Sequence, residues 1–229
     1  MATILNIETS TDVCSVALTR DGQVLEHHED YQGQNHAQVL SPFIESVLKY
    51  VTSRELKLDA VAVSIGPGSY TGLRIGLSEA KGLCFGMNVP LVGINTLKLL
   101  TVSVMFNNFF EDEVLFAPMI DARRMEVYTA VYDPALNELM APQALILDDS
   151  SYSQYLAGHK VVFFGNGSGK ARGLIESGNA VFIDGVKPVA IDMMALAEMA
   201  VREGDFLDLA YSTPLYLKEY QATTPKKLF

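Results

Sequence analysis

The chain has 229 residues, 49% of them hydrophobic, with a formal net charge of −10 and a sequence pI near 4.8. That length accommodates one large domain or two modest ones with buried cores, and the acidic balance makes the surface as a whole repel nucleic-acid phosphate, so contact with RNA is expected to be local or through a partner. Apolar runs stop well short of the roughly 18 residues that cross a bilayer, the opening MATILNIETS has no secretory pattern, and Cys14 and Cys84 have no metal or disulfide spacing, so a cytoplasmic chain with two small core cysteines is expected.

In chain order, residues 3–8, 13–19 and 23–29 read as three strands joined by short turns, among them Arg20-Asp21-Gly22. Apolar residues at Val39, Leu40, Phe43, Ile44, Val47, Leu48 and Val51 then recur in steps of three and four, which predicts a helix over 36–51 with Pro42 in its first turns. A buried strand at 58–65, a helix at 71–86 and a strand at 89–94 complete a mixed α/β pattern. A helix over 95–107 marks the expected boundary between residues 1–100 and a smaller second domain, 101–229. In that half, strands at 114–120 and 126–132 partly repeat the N-terminal pattern, and strands at 144–147 and 161–164 and a helix at 193–202 fill it out. The tail carries Lys218, Lys226 and Lys227 against Glu219, a basic docking arm or a solvated terminus.

The most specific stretch is Ser64-Ile-Gly-Pro-Gly-Ser-Tyr-Thr-Gly-Leu-Arg-Ile-Gly76, where a strand ends, a loop turns and a helix begins. Free N–H groups there could hold an anion, or the loop is a tight turn capped by Ser69 or Thr71. It is not a Walker loop, because Leu73 and Arg74 follow Gly72 where Lys and Ser or Thr are needed. Gly72, Gly76 and Ala80 repeat every four residues and leave a bare stripe that another element can approach, within the chain or across an interface.

Three further groups are candidates for chemistry. Glu8, Thr9 and Ser10 have the shape of the first phosphate loop of actin-like ATPases, with Glu8 where an Asp would orient magnesium; a vestigial loop is the favoured reading. Asp121, Arg123, Arg124 and Glu126 occupy a turn where a second phosphate loop would lie, as a magnesium site or as ion pairs between acids and arginines. Residues 163–170 are glycine-rich, a weak signal for a loop that holds phosphate or adenine. The histidines, His27, His28, His36 and His159, have no HxxxH or HExxH spacing, so no metal site is expected; His36 reads as a capping or interface residue.

Taken together, IETSTDVCSVAL, SIGPGSYTGLRIG, INTL and IDARRMEVYTAVYD resemble the bacterial TsaB family, also called YeaZ, over nearly the whole chain. The resemblance implies a two-domain actin-like (ASKHA, ribonuclease H-like) fold with a reduced second domain. It implies a noncatalytic subunit that partners TsaD and TsaE in forming threonylcarbamoyladenosine on tRNA, with ATP and the catalytic metal in the partner complex and tRNA met only through it. It also implies docking of the helices 36–51 and 71–86 on those of TsaD, or on a second copy when TsaD is absent. With the residue pattern, this makes His36, Leu40, Phe43, Ile44, Val47, Gly72, Gly76 and Ala80 the expected partner-binding set, and Gly76→Leu a substitution expected to break association while sparing the fold. An actin-like ATPase or small-molecule kinase is the alternative, and a glycoprotease-type peptidase comes last.

Overall fold

The computed structural model describes residues 2–33, 35–110 and 113–218. The strands β1 (Thr3–Glu8), β2 (Cys14–Arg20), β3 (Gln23–Asp30), β4 (Ala60–Gly66) and β5 (Leu91–Asn95) form a five-stranded sheet in the order β3-β2-β1-β4-β5. β1 pairs antiparallel with β2 and parallel with β4, so the hairpin lies on one side of β1 and the crossover strands on the other. Crossovers of this kind require helices, here α1 (His36–Ser53) and α2 (Tyr70–Met87).

Alternation along the strands divides the sheet into two faces. Leu5, Ile7, Val16, Leu18, Val61 and Val63 meet Leu40, Ile44 and Val47 of α1 and Leu77 and Ala80 of α2. The opposite face carries the small residues Ala17, Ala60 and Ala62 together with Ile4, Val92 and Ile94. Low relief at the alanines lets helices sit close.

The second sheet contains β6 (Val114–Asp121), β7 (Glu126–Tyr132), β8 (Glu138–Ile146), β9 (Lys160–Phe164) and β10 (Ala180–Ile183), in the order β10-β9-β6-β7-β8. Counted from its own first strand, this is the same topology as the first sheet: a central strand antiparallel to the next and parallel to the fourth. The chain has the two-domain actin-like fold. Its second domain is reduced, since among the described residues only the short helices α4 (Ser153–Leu156) and α5 (Ser168–Arg172) cover the outer face. The sequence pattern missed β10, and started β8 late because Pro142 breaks its strand reading; β8 is an edge strand, where proline is tolerated.

Between the sheets lies α3 (Thr96–Asn107), apolar around most of its circumference. Leu99 and Val102 join the core beneath the first sheet, while Leu97, Leu100 and Val104 join Phe116, Tyr132 and Phe164 beneath the second. Asn95 starts it by accepting from the N–H groups of Leu97 (2.8 Å) and Lys98 (3.2 Å).

The division at residue 100 needs one correction. A 3-10 turn at Ala190–Met193 and the helix α6 (Met194–Glu203) return to the first domain, where Ala190, Met193, Leu196, Ala197 and Ala200 pack on Ala17, Ala60 and Ala62. The Ala190 N–H donates to Ser15 at 2.9 Å, and Lys187 pairs with Asp12 at 2.9 Å. An amphipathic helix shows its apolar stripe but not which sheet receives it, so the sequence placed α6 in the second half. The segment after α6 runs along the edge of the first sheet, with the N–H groups of Leu207 and Leu215 on the carbonyls of Leu91 and Ile65.

Candidate functional site

The first loop follows directly from β1, and Glu8, Thr9 and Ser10 are fully buried in it. What fills it is α2. The Thr9 hydroxyl donates to the Gly72 carbonyl at 2.9 Å, and the Ser69 N–H donates to the Ser10 carbonyl at 2.7 Å. Ser69 caps α2, accepting from the Gly72 N–H at 3.2 Å.

The small-residue stripe exists for this contact. A Cβ on Gly72 would stand 2.1 Å from the Thr9 carbonyl oxygen, one on Gly76 would stand 2.2 Å from the Thr9 hydroxyl, and one on Gly68 would stand 2.2 Å from the Ser10 carbonyl oxygen. The expectation that Gly72, Gly76 and Ala80 present a bare flank to a partner is therefore corrected: the first two are closed by Thr9, and Ala80 is fully buried in the core with Leu77. Sequence spacing shows that a stripe is bare without showing which neighbour uses it.

Glu8 carries an unusual charge environment. Its Oε1 accepts from the Ser10 N–H, while Oε2 and the Ser10 hydroxyl have no hydrogen-bond partner. Burial pushes its carboxyl up to about 7, against the lowering effect of the hydrogen bond from the Ser10 N–H. Burial thus disfavours the charged form that would orient a cation.

The second loop is exposed. Asp121 takes Lys170 at 2.8 Å, and its backbone N–H donates to the Asn166 side chain at 2.9 Å. Glu126 pairs with Lys218, and Lys170 also donates to the Glu126 carbonyl. Gly165 and Gly167 of the glycine-rich run let this loop approach, since a Cβ on Gly165 would stand 2.4 Å from the Met119 carbonyl oxygen. The acids thus pair with lysines from elsewhere in the chain; Arg123 and Arg124 point to solvent. Pattern reasoning offered the arginines because they are adjacent in sequence, and it missed Lys170 and Lys218 because folding alone brings them near. No hydrogen bond or ion pair among the described residues joins the first loop to the second.

The remaining expected partner residues lie on the inner face of α1. Leu40, Ile44 and Val47 are buried, and His36 is buried with its Nε2 3.2 Å from the Val13 carbonyl, which ties the start of α1 to the hairpin. Phe43 is half-buried and stacks on His28 at 5.3 Å between ring centroids. The outward surface is a groove of about 520 Å³ between the helices, lined by Ser41, Glu45, Leu48, Lys49, Thr52 and Glu79 and floored by Ile44. Cys14 and Cys84 are buried free thiols of the core, pushed up to about 12 and about 11 by burial. Lys226, Lys227 and Glu219 of the tail lie outside the described residues. No described helix is long and apolar enough to cross a membrane.

A family model described as "TsaD: tRNA N6-adenosine threonylcarbamoyltransferase" matches residues 23–213. The tRNA threonylcarbamoyladenosine biosynthesis protein TsaB of Escherichia coli is 33% identical over 226 residues, covering 94% of this chain and 94% of that protein. The chain belongs to the TsaB family. The Bacillus subtilis TsaB is 30% identical and covers 76% of this chain and 75% of that protein. Among solved structures, a Pseudomonas aeruginosa protein described as similar to the peptidase YeaZ superposes with a TM-score of 0.82 at 27% identity, over 95% of this chain and all of that one. A second, YeaZ from Pseudomonas aeruginosa, gives 0.77 at the same identity and coverage.

Proposed function

We propose that this chain is the noncatalytic partner subunit of the machinery that forms threonylcarbamoyladenosine on tRNA. It binds and stabilises a TsaD-type transferase, supports recruitment of TsaE and works in the cytoplasm. Full-length likeness to TsaB proteins supports the pathway, and one structural observation carries the noncatalytic role. The loop that would receive phosphate is occupied by the first turns of α2, with Thr9 and Ser10 fully buried against them. Opening it means breaking the Thr9–Gly72 and Ser10–Ser69 hydrogen bonds and separating a glycine-backed contact.

Docking on TsaD is assigned to the outer faces of α1 and α2, around the groove beside Leu48 and Glu79. A second copy of the chain takes the same faces when TsaD is absent. ATP and metal belong to the partner complex. The alternative, an actin-like ATPase or kinase, requires a first loop that yields to phosphate.

The test is reconstitution with purified TsaD, TsaE, a threonylcarbamoyl donor and unmodified tRNA. Modified nucleoside is expected when this chain and TsaD are both present and not from this chain alone. Modification by this chain without TsaD, or no change in TsaD activity on adding it, contradicts the proposal.

A further inference from the structure

Arg74, Arg123 and Arg124 are exposed, and none of their guanidiniums meets a carboxylate among the described residues. A run of contacts links them from the first domain to the second. Arg74 lies over the Tyr70 ring at 4.4 Å and donates to the Tyr216 hydroxyl at 3.2 Å, and the two tyrosine rings are 5.1 Å apart. Two residues beyond Tyr216, Lys218 pairs with Glu126 at the start of β7. Glu126 closes the turn that carries Arg123 and Arg124, donating its N–H to the Arg123 carbonyl at 3.2 Å.

The acids of this surface are already neutralised by less exposed lysines, Asp121 by Lys170 and Glu126 by Lys218. The arginine charge is left unspent, on a chain whose net charge is −10. The backbone also holds Arg123 at φ +68° and Arg124 at φ +51°, a conformation costly for side chains of this size and fixed here by the Arg123 N–H on Asp121 at 2.6 Å. Asparagine or glycine would fit such a turn with less cost. Two arginines stand there instead.

We infer that this surface, from Tyr70 and Arg74 through Tyr216 to Arg123 and Arg124, contacts the phosphodiester backbone of a structured RNA. The inference rests on the proposed role in tRNA modification and deepens it, since it gives this subunit its own contact with the substrate. Charge complementarity selects a polyanion. The tyrosines among the cations, with Tyr216 40% exposed, favour nucleic acid over an acidic peptide, because a base stacks on an aromatic ring or a guanidinium plane.

The test uses the complex with TsaD and unfractionated tRNA as probe, with affinity measured across a range of salt. In Arg74→Gln/Arg123→Asn/Arg124→Asn, chosen to respect the Tyr216 hydrogen bond and the turn, affinity at low salt falls at least about tenfold and the slope of log affinity against log salt flattens by about 2 to 3. Lysine at the same three positions keeps most of the slope, and Arg202→Gln on α6 leaves it unchanged. A wild-type slope in the triple variant overturns the inference, as does an equal loss in Arg202→Gln or equal binding of polyglutamate. Co-elution with TsaD is scored on the same samples: its absence from wild type counts against the proposed function, and the slope comparison on the isolated chain then decides this inference.

Discussion

Thr9 sits where two glycines of α2 need it, and the contact makes opposite predictions for glycines of one helix. Alanine at Gly72 meets a backbone carbonyl that has no freedom to move, so Gly72→Ala should lose about 3 kcal/mol in urea unfolding. Alanine at Gly82, which meets nothing within 4 Å, should gain about 0.5–1 kcal/mol from the reduced freedom of the unfolded chain. Gly76→Leu is by the same reasoning a folding variant, so loss of a partner from it would say nothing of an interface. Glu8 adds a pH signature. Its pKa is higher in the folded chain, about 7 against 4.5, so the folded state holds the proton longer and the contribution to stability is complete below 4.5 and lost as pH rises to about 7. The loss approaches roughly 3 kcal/mol, and the difference in stability between wild type and Glu8→Gln should change by that order as pH rises from below 4.5 through about 7, levelling about one unit above it.

At the scale of elements, the central strands were legible from continuous apolar runs and α1 from steps of three and four, while α3, apolar around most of its circumference, showed as a helix by its length. The turn before α2 narrowed its cap to Ser69 or Thr71, and the structure selects Ser69. The faces were less so. Leu40, Ile44 and Val47 recur at helical spacing because they face this chain's own sheet, and that pattern is the same as for a partner-facing stripe. Likewise α6 carries an apolar face with no mark of its destination, and β10 is too short, at four residues, to show alternation. The roles of Lys170 and Lys218 depend on contacts over 49 and 92 residues of sequence, which no local pattern records. α3 offers a direct prediction: Leu100→Ala removes a buried side chain from the core between the sheets and should cost about 2–5 kcal/mol, read as a lower urea midpoint with unchanged slope.

For the whole molecule, α3 shares its sides between two cores and α6 crosses back to the first sheet, so the halves are interlocked rather than hinged on a single linker. Tyrosine fluorescence, with Tyr128 and Tyr132 in β7 and Tyr152 and Tyr155 at α4 of the second domain, and far-UV circular dichroism should accordingly report one coincident urea transition; separated transitions would show that the halves unfold independently. An interlocked body with its first loop filled suits a subunit that presents surfaces and leaves turnover to another chain. The most direct measurement of that account is co-elution with TsaD on size exclusion, for wild type and for Leu48→Arg, whose long side chain can lie along the α1–α2 groove while its charge opposes an apolar partner. Wild type is expected to co-elute and Leu48→Arg to elute apart with an unchanged circular dichroism spectrum; a wild-type chain that stays separate from TsaD, or a variant that still co-elutes with wild-type affinity, contradicts it.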